Sequence, residues 1–179
     1  MRFLTTICII VCVFSFNVVK AQVVSASDSV TIEQALIEKY HSLFGRDWSN
    51  QFVELWNSKK DTAKALGGLG NVYFVSAGKE TTTVLMSFDS LGLATVKAGG
   101  YPSPTDTTPR FTATAIRWAQ FMEGKFHAVV GVLSQKIQYK GPMTVAFKYG
   151  FHFDKVAPMG RRIVELLNEQ QAGSVRKTK

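Results

Sequence analysis

The 179-residue sequence predicts an α+β domain with a five-stranded, mostly antiparallel sheet covered by helices on one face. Three observations predict it. Short segments around residues 72–77, 82–89, 94–98 and 110–116 alternate apolar with polar or small residues, the period of a strand buried on one side. Helical spacing of apolar residues appears before these segments, between the fourth and a fifth strand at 135–140, and after the fifth. Turn residues separate the elements: Gly78, Asp89-Ser90-Leu91-Gly92, a polar proline-rich run from Gly99 to Pro109, and Gly141-Pro142.

The elements follow in order. Residues 1–21 read as an export signal, with Arg2 as the basic start, a largely apolar run from Phe3 to Val19, and Ala21 as the small residue before cleavage. Both cysteines, Cys8 and Cys12, fall inside this leader, so the exported chain is expected to have no disulfide, thiolate nucleophile or Cys-bound zinc. Residues 22–29 are small and polar and are expected to form a disordered linker. The domain is expected to span 30–171, and 172–179 to be a basic, frayed tail.

Thr31-Ile32-Glu33-Gln34 has capping-box spacing and is expected to start the first helix, with Ile32, Leu36, Tyr40, Leu43 and Phe44 as its apolar positions and Gly45 as its stop. Asp47 is expected to cap a second helix carrying Phe52, Leu55, Trp56, Ala63 and Leu66. In the strands, Val84, Met86 and Phe88 share a face, as do Phe111, Ala113 and Ala115 against Thr112 and Thr114. Trp118, Phe121 and Met122 fit a short helix broken at Gly124. Phe126, Val129, Val130 and Leu133 fit another, and Met143, Ala146 and Phe147 a third. Pro158 is expected to open the last helix, with Arg161 and Glu165 as an exposed pair four residues apart.

The formal charge of +8 favours anionic partners, but the Lys and Arg are scattered and no aromatic-basic motif accompanies them, so nucleic-acid binding is not expected. His41, His127 and His152 lack metal-ligand spacing. No nucleophile elbow or phosphate-binding loop is present, and neither enzymatic activity, a metal nor a cofactor is expected.

From about Ile32 to Leu167 the chain resembles the sterol carrier protein 2 family of lipid-binding domains. The similarity is carried by Phe111-Thr112-Ala113-Thr114 before Trp118, by Phe121 to Lys125, by Val132 to Gly141 and by Met143 to Lys148. The resemblance implies helices on one side of a five-stranded sheet, enclosing an apolar cavity for fatty acyl chains, acyl-CoA or sterols. Two departures stand out. The chain ends Arg176-Lys177-Thr178-Lys179 rather than in a peroxisomal Ser-Lys-Leu-like signal, and Pro142 follows Gly141 where that family more often has an acidic or small residue. An export leader also argues against a cytoplasmic acyl-CoA role.

Trp118, Phe121, Phe126, Val130, Leu133, Met143 and Phe147 are therefore the candidate lipid-binding wall, being apolar residues on helices that flank one sheet. Lys136, Lys140 and Lys148 are candidates for a basic rim toward an anionic membrane surface. The competing expectation is the same fold with a solid core, acting as a structural or dimerisation domain without ligand.

Overall fold

The computed structural model describes residues 26–78 and 80–177; the leader lies outside the described residues. Among these residues the order is α1 (Ala26–Lys39), α2 (Arg46–Ser58), α3 (Lys60–Ala63), a 3-10 turn (Lys64–Leu66), β1 (Gly70–Ala77), β2 (Thr82–Phe88), β3 (Ala94–Ala98), β4 (Arg110–Thr114), α4 (Ala115–Met122), α5 (Ala128–Leu133), β5 (Gln138–Lys140), α6 (Met143–Phe153) and α7 (Val156–Lys177). The sheet order is β3-β2-β1-β4-β5, with β1 and β4 parallel and the other neighbours antiparallel.

Alternation sets the two faces. Val72, Phe74, Val84, Met86, Phe88, Ala94, Phe111 and Ala113 belong to the core that packs against the helices. On the opposite face stand Tyr73, Val75, Thr83, Leu85 and Thr112, paired in register. Val75 and Thr83 are nonetheless buried there. The reason is topological: the chain must pass from β3, at one edge, across β2 and β1 to reach β4. The 99–109 connection leaves the sheet beside Thr83, where Gly99 N–H donates to the Thr83 carbonyl at 2.7 Å, and rejoins it beside Tyr73, whose N–H donates to the Pro109 carbonyl at 2.8 Å. Its own Pro102 is buried, and its Asp106 meets the Tyr73 hydroxyl. Burial, followed by the Asp106 carboxylate beside it, pushes the Tyr73 phenol pKa up.

The helical layer is organised by α2. Trp48, Phe52 and Trp56 recur every four residues and stack at 5.1 and 5.6 Å, all fully buried. Their indole N–H groups find carbonyls: Trp48 donates to Gly160 at 3.4 Å and Trp56 to Gly92 at 2.8 Å. Asn57 exchanges both amide hydrogen bonds with the backbone of Ala94 (2.9 and 2.7 Å), so its side chain tethers edge strand β3 to α2.

Several boundaries differ from the sequence-based expectation. Helix α1 begins at Ala26, so Thr31 lies inside it rather than capping it, and the helix reaches into the 22–29 stretch expected to be disordered. Ile32 is 61% exposed. Gly45 does not stop α1. Instead Phe44 takes a left-handed conformation (φ 64°) and Gly45, in extended conformation, precedes α2. A left-handed non-glycine costs about 1–2 kcal/mol. Here edge-on contacts of Phe44 with Trp48 (5.3 Å) and Trp118 (5.2 Å) offset it. Asp47 sits in the first turn of α2 and makes no side-chain cap. Pro158 lies in the first turn of α7, where a missing N–H costs nothing, and the helix runs to Lys177 through most of the expected tail. Arg162, not Arg161, pairs with Glu165 (3.7 Å).

Arg161 instead lies 4.0 Å from Glu123, which also accepts from Lys39 Nζ at 2.6 Å and Tyr40 hydroxyl at 2.8 Å, joining α1, α4 and α7. Burial opposes ionisation of Glu123, but the hydrogen bonds from Lys39 and Tyr40 and the charges of Lys39 and Arg161 outweigh it, so its carboxyl titrates below the ordinary value. A depressed carboxyl pKa adds stability that is fully present above the unfolded value, about 4.3, and is lost as pH falls through the folded value. Glu123→Gln is expected to destabilise by about 1.5–3 kcal/mol at pH 7 and to flatten the loss of stability between about pH 5 and pH 3. Urea unfolding of both proteins across that range checks it.

Candidate functional site: an apolar interior and the groove beside it

Between the sheet and the helices lies an apolar void of about 20 Å³ whose lining residues are all buried: Phe44, Phe74, Met86, Phe111, Trp118, Phe121, Met122, Ala128, Ile137, Phe153 and Val156. Its walls come from every layer. Phe74, Met86 and Phe111 alternate inward from three strands, Trp118 to Met122 come from α4, and Phe153 and Val156 bracket the α6–α7 junction. Trp118 is fixed by donating its indole N–H to the Val75 carbonyl at 2.8 Å. Phe74, Phe111 and Phe153 form an aromatic triangle with centroid separations of 5.1–5.6 Å. A space of this size holds about one water molecule and has no polar partner to keep one.

A second apolar depression, of about 10 Å³, lies between α5 and α6 and is lined by Phe111, Ala128, Val129, Val132, Leu133, Met143, Ala146, Phe147 and Gly150. Phe111 and Ala128 line both spaces, so the groove and the inner void are separated by these two side chains. The helices approach closely at Gly150, where a Cβ would meet Val129 Cγ2 at 2.8 Å. Asp154, just past the end of α6, holds the start of α5: it accepts from Ala128 N–H at 2.7 Å and lies 3.0 Å from His127 Nδ1.

The sequence-predicted wall divides here. Trp118 and Phe121 line the inner void. Phe126 is buried but lines neither space; it packs on Phe121 at 6.0 Å with Lys136 Nζ 5.0 Å from its ring centroid. Leu133, Met143 and Phe147 line the groove while remaining 65%, 47% and 52% exposed, so they form a rim and not an interior wall. Val130, 49% exposed, lines neither space.

The reason is helix phase. Helix α5 starts at Ala128, not Phe126, so its buried positions are Ala128 and Gly131. Helix α6 buries Ala146, Tyr149, Gly150 and Phe153, a stripe rotated from 143/146/147. The strand residues Phe74, Met86 and Phe111 were missed as site residues although their alternation marks them as inward-facing. Ala128 and Gly150 carry no apolar signal strong enough to be noticed.

Burial also raises the pKa of Tyr139, whose hydroxyl donates to the Pro142 carbonyl at 2.9 Å and whose ring lies 4.8 Å from Phe111. Its contacts tie β5 and the start of α6 to the groove floor. Among the described residues no group of three or more His, Cys, Asp or Glu could hold a metal ion, and no helix is long and apolar enough to cross a membrane.

No protein-family model matches the sequence, and no curated protein matches it either. The architecture is similar to that of solved structures. The crystal structure of sterol carrier protein 2 superposes with a TM-score of 0.58 at 15% identity, covering 66% of this chain and 97% of that one. The solution structure of a conserved hypothetical protein from Thermus thermophilus, described as possibly a sterol carrier protein, gives 0.58 at 14% identity, covering 68% and 89%. With the sheet order, the helical layer and these superpositions in agreement, the chain has the sterol carrier protein 2 fold.

Proposed function

We propose that the protein is a non-enzymatic carrier that binds a lipid chain, fatty acyl or sterol-like, between the sheet and the helices, admitting it through the α5–α6 groove. The observation that carries this reading is the sharing of Phe111 and Ala128 by an exposed apolar groove and a buried apolar void. The name of the neighbour, a sterol carrier, points the same way. Pockets that hold small molecules measure about 300–1,000 Å³, far more than the void of about 20 Å³. Uptake therefore requires α5 and α6 to part, with the ligand replacing the contacts they lose. Helix α5 is suited to this, being six residues long and followed by a three-residue edge strand. Purification from a membrane-containing host, organic extraction and mass spectrometry of the extract test the reading. A stoichiometric lipid is expected; an empty protein that also ignores added fatty acid would leave the solid-core structural domain as the better account.

The carrier acts after export, on this proposal, because Arg2, the apolar run and Ala21 form a cleavable leader. The exported protein is expected to begin at Gln22, read from its intact mass; a chain retaining residues 1–21 would contradict this. Its donor or acceptor is an anionic membrane surface. Between Glu123 and Asp154 the chain has no acidic residue but carries Lys125, Lys136, Lys140 and Lys148. The same segment exposes Val130, Leu133, Met143, Phe147 and Phe151. Co-sedimentation with anionic but not zwitterionic vesicles checks it.

A further inference from the structure

A third cleft, about 300 Å³, opens at the end of β1 and β4, beside the loop that joins α5 to β5. It is lined by Ala77, Thr112, Ala113, Thr114, Arg117, Ser134, Gln135, Lys136 and Gln138. None of these residues lines the inner void or the α5–α6 groove, so the cleft is separate from the lipid path. Its chemistry is one-sided: two cations, two primary amides, three hydroxyls and no carboxylate.

The hydrogen-bonding capacity of that lining is largely unspent. Ser134 hydroxyl donates to the Val130 carbonyl at 2.7 Å, and Arg117 Nη1 gives one hydrogen bond, to Gln120 Oε1 at 2.8 Å. The Thr112 and Thr114 hydroxyls, the Gln135 and Gln138 amides and the Lys136 ammonium have no hydrogen-bond partner among the described residues. Lys136 is only half-exposed, and its Nζ lies 5.0 Å from the Phe126 ring centroid with no acidic partner. Gln135 is held at φ 57°, which keeps the 134–136 turn against the cleft at a cost that glycine would avoid.

We propose that this cleft binds a phosphate monoester group, presented by a soluble phosphate compound or by a phospholipid headgroup. A tetrahedral dianion presents more acceptor oxygens than a carboxylate, which suits a lining with two cations and several neutral donors. The Arg117 fork can bind it in two-point fashion, Lys136 supplies a point charge, and the threonine and glutamine groups complete its hydrogen bonds. The cleft has room for the group and part of its ester.

Calorimetric titration of the full chain with inorganic phosphate, glycerol 3-phosphate and a short-chain phosphatidic acid below its micellar concentration tests the proposal. Binding of one or more is expected. Saturation by phosphate or glycerol phosphate identifies a soluble ligand; saturation by phosphatidic acid alone identifies the headgroup. The double variant Arg117→Gln/Lys136→Gln, whose altered side chains are not fully buried, is expected to weaken that binding about tenfold or more. Lys59→Gln/Lys60→Gln, which removes the same charge from exposed positions outside the cleft and outside the basic 124–153 segment, is expected to leave it unchanged. Binding of none of the three would overturn the proposal, as would equal weakening by both double variants. Fatty-acid uptake by the single variant Arg117→Gln separates this result from the carrier reading, because Arg117 lines neither the void nor the groove and lies outside the basic 124–153 segment, so its loss is expected to leave uptake intact.

Discussion

Gly92→Ala is expected to destabilise the domain by about 3 kcal/mol or more. Gly92 has φ 79°, a conformation that already penalises alanine. More severely, a Cβ there would lie 1.8 Å from the carbonyl oxygen of Ala63 and 3.1 Å from Gly67 N. Neither is a side chain that could rotate away. Relief would require the β2–β3 turn to withdraw from the end of α3, and the same carbonyl that fixes the Trp56 indole belongs to Gly92. The aromatic ladder of α2 and the edge of the sheet would loosen together. Urea unfolding checks this, and a change below about 1 kcal/mol would mean that the turn yields easily.

The second large effect concerns uptake. Leu133→Asp/Phe147→Asp is expected to reduce fatty-acid binding more than tenfold while leaving the melting temperature within a few degrees of the parent. Both residues rim the α5–α6 groove and are 65% and 52% exposed, so a carboxylate at either remains hydrated in the empty protein. A lipid chain entering between the helices would strip that hydration, which makes the cost fall on binding and not on folding. Titration with a fluorescent fatty acid, alongside thermal unfolding, measures the two separately. Full binding by this variant would place the entrance elsewhere.

The architecture was legible because most of it rests on alternation. Val84-Met86-Phe88 and Phe111-Ala113 point inward where period-two reading puts them, and the helices fall before the sheet, between its fourth and fifth strands, and after it. The site was legible only in part, and helix phase explains the division. Trp118 and Phe121 face the void even though their helix starts at Ala115, three residues before the expected start, because the 118/121/122 spacing holds within it. For α5 the assumed start included Phe126, two residues too early, which turned Val130 and Leu133 inward on paper. For α6 the buried stripe depends on Gly150, a residue that signals nothing by hydropathy yet sets the approach to Val129. Phe44 was expected as an apolar helical position, but its left-handed backbone and its place in the void wall depend on Trp118, distant in sequence, as well as on nearby Trp48. Helix ends were least legible: α1 already starts at Ala26, so Thr31 lies inside it, and Asp47 sits in the first turn of α2 without capping it.

The most direct measurement of the central claim is energy transfer from the tryptophans to a fatty acid carrying a fluorophore at its chain terminus. Trp118 lines the inner void, whereas Trp48 and Trp56 line neither the void nor the groove. If the chain enters past Phe111 and Ala128, transfer should rise saturably and fall when Trp118 is replaced by Phe, with uptake itself retained. Saturable uptake whose transfer is unaffected by Trp118→Phe would contradict an interior site, leaving the lipid on the surface.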